Sequence, residues 1–335
     1  MRIVAAPDKF KGTASALEIA TAIKAAGVRA GHSVDVVPMA DGGEGTLAAL
    51  GGPNRTSMVT GPLGEPTSAE WRLGAGTAVF EMAQASGLVL AGGKEGNDPV
   101  AATTTGVGEL IVEAIDAGAI RIIVGLGGSA TTDGGFGAVE AVGDEVSKIA
   151  DIELLVACDV RTLFTDAAVV FGPQKGANPD QVAELTDRLV ALVDVYKDRF
   201  GVDVSTIERA GATGGLAGGL AALGATLVDG FDLVAAITGL DAALDGADLV
   251  VTGEGLLDEE SFNGKVIGGV TALANAKGIP VLAIAGHVLD DALSTPAHDF
   301  EAISLTTAFG QEQAMANPTA CIEQAMASYL QSHKT

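Results

Sequence analysis

Short apolar runs alternate along this chain with longer segments in which apolar residues recur every three or four positions. The apolar runs are rich in valine, isoleucine and alanine, and turn-forming residues follow them. Runs of this length and composition predict buried β-strands, whereas the longer period predicts amphipathic helices. The predicted strands are 2–6, 33–38, 78–82, 121–125, 153–157, 168–171, 248–252, 280–285 and 302–305.

Predicted helices occupy much of the chain between these strands. The main ones span 15–30, 106–118 and 178–196, and a last helix begins at Asn317-Pro318. Asn178 is a typical N-cap, and Pro179 suits the first helical position because that position needs no N–H donor. Alternation of strands with helices is typical of parallel sheets built from βαβ units.

The segment 57–82 breaks this alternation. Gly61-Pro62-Leu63-Gly64-Glu65-Pro66 lies between two extended stretches, which predicts an antiparallel hairpin. We therefore predict an α/β fold with two lobes, one built on a Rossmann-like parallel sheet and one on a mixed sheet. We expect residues 1–75 and 240–335 to form one lobe and residues 76–239 the other, with a ligand cleft between them.

The charge of the chain limits its partners. The 335 residues suffice for two domains, and 43 acidic against 19 basic residues give a net charge of −24. Such a surface repels nucleic acids and anionic membranes, so we expect neither as a partner. An anionic substrate would need local positive potential from lysines, backbone amides, helix N-termini or a divalent cation.

Cysteine and histidine usage excludes two further classes of protein. Two cysteines and four scattered histidines form neither a disulfide framework nor a zinc pattern.

The first residues of the chain form a predicted strand and include charged residues too early for a signal peptide, which predicts a cytoplasmic protein. The oligomeric state stays open, with a homodimer as one option.

A glycine-rich loop after the strand 121–125 carries the strongest chemical signal. The run GLGGSATTDGG at 125–135 combines glycines with hydroxyls and a carboxylate. Glycines let the backbone approach a ligand and point several N–H groups at it, as in phosphate-binding loops. We predict that Gly127, Gly128 and Ser129 bind phosphate or substrate and that Asp133 is catalytic.

The loop 41–46, with the sequence DGGEGT, repeats this combination of glycines and acids. Paired carboxylates suit Mg²⁺, which takes one or two carboxylates together with substrate oxygens. We expect Asp41 to be catalytic or to bind the metal, Glu44 to bind the metal, and Gly42 and Gly43 to supply amides to substrate or phosphate.

Asp8 and Lys11 follow the first strand, at the edge where open α/β sheets bind ligands. Asp8 could bind a metal or take a proton, and Lys11 could neutralise phosphate charge, so both are predicted to be catalytic. The hydroxyls of Thr13 and Ser15 are better explained as caps of the next helix.

Four further residues are candidates for binding substrate or phosphate. Asp159 follows the strand 153–157, and Lys175 lies in a loop before a helix N-terminus. Glu254 lies in a third glycine-rich loop, TGEG at 252–255, and Lys265 follows it. The simpler alternatives are a satisfied turn carboxylate for Asp159 and a solvated charge for Lys175.

The same motifs leave two other functions open. Gly125-x-Gly127-x-x-Ala130, with acids at 144 and 145, fits a loose dinucleotide motif, which predicts an NAD-dependent oxidoreductase of a small hydroxy acid. Against it, the stretch 131–135 is a poor helix start. A regulatory protein that binds a metabolite without turnover is the other alternative, and the retained acids and lysines argue against it. The sequence contains no P-loop, no protein-kinase motif set and no G-x-S-x-G elbow.

Taken in order, these motifs resemble the bacterial-type (class I) glycerate kinase family. The matching stretches are 6–8 with 10–12, 39–46, 125–135, 157–160, 170–177, 211–218, 251–258 and 264–265. The resemblance implies one flavodoxin-like lobe, one lobe with a restriction-enzyme-like core, and ATP-dependent phosphorylation of D-glycerate. We expect 2-phosphoglycerate as the product, with 3-phosphoglycerate as the alternative.

The resemblance also implies how the residues are used. In-line transfer of a phosphoryl group from Mg-ATP depends mainly on positioning and charge neutralisation. Lys11, Lys175 and Lys265 would then face phosphate or the substrate carboxylate. The chain departs from the family pattern at Lys9, which replaces a small polar residue, in a shortened stretch at 143–153, and at 161–165.

Overall fold

The computed structural model describes residues 1–262, 264–289 and 299–333. It divides the chain into two compact units: unit 1 is Met1–Asp41, Ala48–Leu50 and Gly230–Thr335, and unit 2 is Gly42–Leu47 and Gly51–Asp229. The side chain of Asp144, one acid of the dinucleotide motif, lies outside the described part. None of the helices in that part is long and apolar enough to span a bilayer.

The strands are β1 (Arg2–Ala5), β2 (Ser33–Val36), β3 (Arg55–Thr60), β4 (Pro66–Gly74), β5 (Thr77–Glu81), β6 (Arg121–Gly125), β7 (Glu153–Cys158), β8 (Thr226–Asp229), β9 (Leu249–Leu257), β10 (Val281–Val288) and β11 (Glu301–Ser304).

The helices are α1 (Ala16–Arg29), α2 (Thr46–Ala49), α3 (Ala83–Ser86), α4 (Gly93–Gly96), α5 (Thr105–Asp116), α6 (Phe136–Val142), α7 (Val146–Ile149), α8 (Ala167–Phe171), α9 (Pro179–Phe200), α10 (Leu216–Ala222), α11 (Gly230–Thr238), α12 (Leu240–Leu244), α13 (Val266–Ala276), α14 (Leu305–Phe309), α15 (Gln311–Ala316) and α16 (Pro318–Ser332). Short 3₁₀ turns occur at Gly143–Glu145, Phe164–Asp166, Pro173–Lys175, Val204–Thr206 and Glu259–Phe262.

Unit 1 is built on a parallel sheet in the order β11-β10-β9-β1-β2. Successive residues of β1 point to opposite faces of this sheet. Ile3 packs into a core with α1 and α16, whereas Val4 packs into a second core with α11 and α13. Because helices cover both faces, the strands are apolar throughout, as the sequence pattern requires. The predicted parallel-sheet lobe is confirmed.

Unit 2 is built on a mixed sheet in the order β3-β4-β5-β6-β7-β8. The pairs β3–β4 and β4–β5 are antiparallel, and the remaining pairs are parallel. Phe80, Val124 and Val156 face a large core that also contains Leu110 of α5 and Leu189 of α9. The predicted mixed lobe and its hairpin are confirmed.

Two predicted helix starts are confirmed in detail. The Ser15 hydroxyl accepts the Glu18 N–H at the start of α1, and the Glu18 carboxylate accepts the Ser15 N–H in return. Asn178 and Gln181 form the same reciprocal pair before Pro179 in α9. Each pair satisfies backbone donors that the first helical turn leaves open.

Other predictions differ from the structure. The run 168–171, predicted as a strand, is helix α8, and its burial shows why: Ala167 and Ala168 are buried while Val169 and Val170 are exposed. A run this short carries too few positions to separate the two periods. Strand β8 was not predicted, because its first residue is polar and none of its positions is fully buried.

The predicted boundary after residue 75 also differs from the structure. Strands β3 and β4 were expected in the first lobe, but β4 is hydrogen bonded to β5 and so belongs to the sheet of unit 2. At the other end, residues 230–239 belong to unit 1. The stretch 131–135, a poor helix start by sequence, is followed directly by α6, whose N-cap residue Gly135 adopts a left-handed conformation.

Candidate active site

In unit 1, the strand order changes direction between β1 and β9. From β1 the chain passes to its neighbour β2 on one side, and β9 pairs with β1 on the other side. In sheets of this order, ligands bind at the carboxyl ends of the strands beside the switch point. Asp8 follows β1 and Glu254 lies in β9, and the Asp8 N–H donates to the Gly253 carbonyl at 2.8 Å. The fold therefore places two carboxylic acids at this point.

Glu254 is a buried acid with an oxygen that lacks a partner. It is 9% exposed, and its Oε1 has no hydrogen-bond partner among the described residues. Burial, assisted by the negative charges of Asp8 and Asp258, raises the pKa of Glu254 to about 7, although a hydrogen bond from Ser261 and the charge of Lys265 act in the opposite direction. A carboxyl group with a pKa near 7 is suited to proton transfer at neutral pH.

Asp8 is buried beside Lys9, which departs from the family pattern. Its Oδ1 accepts the Lys9 N–H at 2.7 Å, and the Lys9 Nζ lies 3.8 Å from the same oxygen. Lys9 therefore supplies positive charge next to Asp8.

Two further lysines lie near these acids. Lys11 is exposed, and Gly255 lies so close to its backbone that a Cβ on Gly255 would be 3.4 Å from the Lys11 nitrogen. Lys265 is the N-cap residue of α13, and its Nζ lies 3.6 Å from Glu260 Oε2. Unit 1 therefore brings Asp8, Lys11, Glu254 and Lys265 together.

Asp41 belongs to the next strand end of unit 1. Beyond β2 the chain continues beside β1, where the Met39 N–H donates to the Pro7 carbonyl at 2.9 Å. Asp41 follows two residues later and is half-buried. Asp8 and Asp41 thus follow the adjacent strands β1 and β2, and Glu254 lies within the neighbouring strand β9, where the sequence predicted a loop.

In unit 2, the predicted glycine residues make close backbone contacts. The Leu126 N–H donates to the Gly42 carbonyl at 2.9 Å, and a Cβ on Gly127 would lie 3.2 Å from Gly43 Cα. Gly128 has a φ of +65°, which side chains rarely adopt. The buried Ser129 forms an isolated bridge with Gly87. Glycine is therefore needed at these positions for the two loops to meet.

Glu81 holds the loop 42–47 in place, and sequence reasoning missed it. Its Oε1 accepts the Gly45 N–H at 2.8 Å and the Leu47 N–H at 2.9 Å. Glu81 is an acid at the end of the apolar strand β5, and this position could have indicated a functional role. Glu44 is exposed in the same loop.

Asp133 is buried, but its hydrogen bonds are with the protein itself. Its Oδ2 accepts the Thr104 N–H and hydroxyl, both at 2.8 Å, and the Gly137 N–H at 3.2 Å. Its Oδ1 accepts the Gly135 N–H at 3.1 Å. The carboxylate thus joins the start of α5 to the start of α6 and fixes the end of the glycine-rich loop.

Lys175 is also turned inward. It is 2% exposed, and its Nζ donates to the Thr131 carbonyl at 2.6 Å. Burial lowers the pKa of Lys175 to about 7, while the negative charge of Asp133 acts to raise it. The alternative of a solvated charge is therefore wrong for this residue, and the contact holds the middle of the glycine-rich loop.

Asp159 lies beside a charged group that the sequence did not reveal. Arg209 donates from Nη1 to the Cys158 carbonyl at 2.9 Å and from Nη2 to Asp229 Oδ2 at 3.2 Å. Cys158 ends β7 and Asp229 ends β8, so the guanidinium bridges two neighbouring strand ends. A single arginine outside any motif carries no sequence signal.

Comparison with known proteins identifies the family. The model of the glycerate kinase family matches residues 3–150 and 144–334 of this chain. The chain is 40% identical to glycerate 2-kinase of Escherichia coli (strain K12), over 92% of each protein. It is 39% identical to a glycerate kinase of Bacillus subtilis (strain 168), over 90% of this chain and 89% of the relative.

A solved structure supports the same conclusion. The fold matches that of a glycerate kinase 2 from Salmonella typhimurium LT2 with a TM-score of 0.83 and 34% sequence identity, over 100% of this chain and 99% of that one. The resemblance inferred from the motifs is confirmed, and the kinase interpretation prevails over the oxidoreductase one. The chain belongs to the glycerate kinase family.

Proposed function

We propose that this chain transfers the γ-phosphoryl group of ATP to a hydroxyl of D-glycerate and forms 2-phosphoglycerate. The observation that carries the proposal is the acid pair Asp8 and Glu254 at the β1–β9 switch point, where Glu254 is buried with an unpartnered oxygen. Family membership supports the reaction class, and the likeness to a glycerate 2-kinase is the reason for proposing the 2-phosphate as product.

Glu254 accepts the proton of the reacting hydroxyl in this proposal. As the glycerate oxygen bonds to the γ-phosphorus, its O–H bond breaks, the bond from the γ-phosphorus to the β–γ bridging oxygen breaks, and ADP leaves. A carboxylate whose pKa is near 7 binds that proton much better than one with an ordinary pKa. Asp8 orients the hydroxyl and keeps the pKa of Glu254 high.

Positive charge for the phosphates comes from a small number of groups. The chain carries a net charge of −24, so an anionic nucleotide needs local compensation. We assign Lys11 and Lys265 to this role in unit 1. The amides of Gly42, Gly43, Gly127, Gly128 and Ser129 do the same in unit 2.

Mg²⁺ is the cofactor that suits the donors of the loop 41–46. Among the described residues no group of three or more histidine, cysteine or acidic side chains could hold a metal. Mg²⁺ fits such a chain, because it is commonly held by one or two carboxylates and completes its coordination with phosphate oxygens and water. We assign Asp41 and Glu44 to the ion, which would neutralise phosphate charge when bound.

Asp133 and Lys175 position the glycine-rich loop and do not touch the reacting atoms in this proposal. Both are buried, and each is engaged with the backbone of unit 2 through its charged group. Their loss would disturb the loop that presents Gly127, Gly128 and Ser129. Asp159 is left as a contact of the substrate.

The test is an assay of the purified protein with D-glycerate, ATP and Mg²⁺. ADP release is followed in one readout, and an enzyme that consumes 2-phosphoglycerate supplies the second. ADP that depends on glycerate, with a positive second readout, is the expected result. ADP without 2-phosphoglycerate would identify the 3-phosphate as product, and absence of ADP would refute the proposed substrate.

A further inference from the structure

Three successive N–H groups of the glycine-rich loop, those of Gly127, Gly128 and Ser129, have no hydrogen-bond acceptor among the described residues. The N–H groups on either side, those of Leu126 and Ala130, donate to backbone carbonyls of unit 2. Gly128 has a left-handed φ of +65°, and Ser129 is 6% exposed. Successive N–H groups around a left-handed residue form the concave sites that bind phosphate oxygens. The backbone of this loop is therefore arranged to bind an anion.

The loop 42–47 fixes the peptide that precedes these three N–H groups. The Gly42 carbonyl accepts the Leu126 N–H at 2.9 Å, and the Ala157 carbonyl accepts the same N–H at 3.0 Å. A Cβ on Gly125 would lie 3.0 Å from the Gly42 carbonyl oxygen, so glycine is needed there for the two backbones to come this close. The orientation of the three N–H groups therefore depends on a loop that is distant in the chain.

Glu81 in turn fixes the loop 42–47. Its Oε1 accepts the N–H groups on both sides of Thr46, those of Gly45 and Leu47, at 2.8 and 2.9 Å. The Glu81 side chain is 7% exposed and Thr46 is fully buried. Hydrogen bonds from backbone N–H groups to a carboxylate are stronger than those between neutral groups. One buried acid thus anchors the loop that orients the three N–H groups.

We propose that Glu81 is a positioning residue that sets the affinity of unit 2 for the phosphate groups of the nucleotide. Glu81 does not touch the phosphates. It holds the loop 42–47, the loop holds the Leu126 peptide, and the three N–H groups that follow then donate to phosphate oxygens. A phosphate group offers three oxygens to these donors, whereas a carboxylate offers two. This inference rests on the proposed function, since it names the residue that prepares the phosphate site for ATP.

The test separates the length of the Glu81 side chain from its charge. Glu81→Asp keeps the charge but is shorter by one methylene group, whereas Glu81→Gln keeps the length and an acceptor oxygen. Calorimetry measures Kd for ATP in the presence of Mg²⁺, and steady-state assays measure KM for ATP and for D-glycerate. Glu70→Asp, at an exposed position of β4, is the matched control.

We expect Glu81→Asp to raise Kd and KM for ATP about tenfold, because the shorter side chain loses its hydrogen bonds to the loop. KM for D-glycerate should stay within about twofold of the wild type. Glu81→Gln should raise Kd for ATP by no more than about threefold, and Glu70→Asp should match the wild type. An unchanged Kd for ATP in Glu81→Asp, an equal loss in Glu81→Gln, or an equal rise of KM for D-glycerate would overturn the proposal.

Amide hydrogen exchange distinguishes this role from a general loss of structure. In the wild type, ATP should slow exchange of the N–H groups at 127–129. In Glu81→Asp, exchange should be faster at Gly45 and Leu47 and unchanged at Ile123, which is buried in β6. Equally faster exchange at Ile123, or no effect of ATP at 127–129, would contradict the proposal.

If the wild type shows no turnover, the proposed function fails, and calorimetry with ATP decides the role of Glu81 separately. ATP binding that Glu81→Asp weakens and Glu81→Gln retains supports that role. ATP binding that Glu81→Asp leaves unchanged, or absence of ATP binding to the wild type, refutes it.

Discussion

Asp133 and Glu254 are two buried acids that follow the same sequence pattern and have different environments. Asp133 lies in the glycine-rich loop after β6 of unit 2, and Glu254 lies within β9 of unit 1, between Gly253 and Gly255. Asp133 accepts hydrogen bonds from four donors of its own unit. Glu254 is almost as buried but leaves Oε1 without a partner in the described part of the chain.

This difference in hydrogen bonding assigns Asp133 a positioning role and Glu254 a role in the reaction. A buried carboxylate that has its hydrogen bonds stabilises the fold, because its desolvation is offset by donors that do not move. A buried carboxylate without them destabilises the ionised form, which raises its pKa and makes it a proton acceptor near neutral pH. The contrast therefore predicts opposite responses to removal of the two charges.

The largest expected effect comes from removing the charge of Glu254, the acid assigned to proton transfer. Glu254→Gln keeps the shape of the side chain but cannot accept a proton, so we expect kcat to fall about 1,000-fold, the usual contribution of a general base. In the wild type, kcat/KM for D-glycerate should rise with pH through about 7. The measurement is a steady-state assay between pH 5 and 9. Glu259→Gln, at an exposed position in the next turn, should remain as active as the wild type.

The next largest effect is on stability and comes from removing the charge of Asp133, the acid with four hydrogen bonds. Asp133→Asn replaces an acceptor oxygen by an NH₂ group that faces backbone donors, and we expect the free energy of unfolding to fall by about 2–4 kcal/mol. Urea denaturation followed by circular dichroism measures it. Asp116→Asn removes an exposed charge of the same unit and should change stability by less than about 0.5 kcal/mol. A fully stable Asp133→Asn protein with no activity would give Asp133 the catalytic role expected from sequence.

A third prediction concerns the pH dependence of stability that the buried Lys175 causes. The folded-state pKa of Lys175 is lowered from 10.5 to about 7, so its contribution to stability is complete above pH 10.5 and lost as the pH falls through 7. The wild type should therefore gain roughly 2 kcal/mol between pH 7 and 9 from this group. Lys175→Met should lack that gain, whereas Lys197→Met, at an exposed site on α9, should keep it. Parallel pH profiles for all three proteins would contradict the buried environment of Lys175.

The smallest effect concerns the strand end beside the acid pair. Asp41→Asn should lower kcat at least about tenfold, because a neutral amide is a poorer partner for a metal or a reacting hydroxyl. If Asp41 binds Mg²⁺, the variant should also need more Mg²⁺ for half-maximal rate. Asp35→Asn, which removes the partner of Arg2 on β2, is the control. Turnover and Mg²⁺ dependence like those of the wild type would remove Asp41 from the site.

Much of the fold could be predicted because burial leaves a clear pattern. Strands covered by helices on both faces are continuous apolar runs, and the capping residues of α1 and α9 are read directly from the sequence. The run 168–171 failed because four apolar residues fit either period. The boundary at 75 failed because hydrogen bonding between β4 and β5, which the sequence does not show, assigns the hairpin to unit 2.

The candidate site could be predicted where glycines and acids form motifs, as at Asp8, Asp41 and Glu254. The environment of each acid could not, because it depends on residues distant in the chain. Thr104 becomes a partner of Asp133 only when α5 packs against α6. Glu81 and Arg209 are single charged residues whose roles arise from the strand ends beside them.

The most direct test of the central claim measures melting and turnover of Glu254→Gln in one preparation at pH 8. The folded-state pKa of Glu254 lies above its ordinary 4.5, so its contribution to stability is complete below pH 4.5 and lost as the pH rises through about 7. Removing the charge should return roughly 3 kcal/mol at pH 8 and raise Tm by several degrees, while kcat falls about 1,000-fold. A variant that melts lower than the wild type and still phosphorylates D-glycerate would contradict the assignment of Glu254 as the reacting acid.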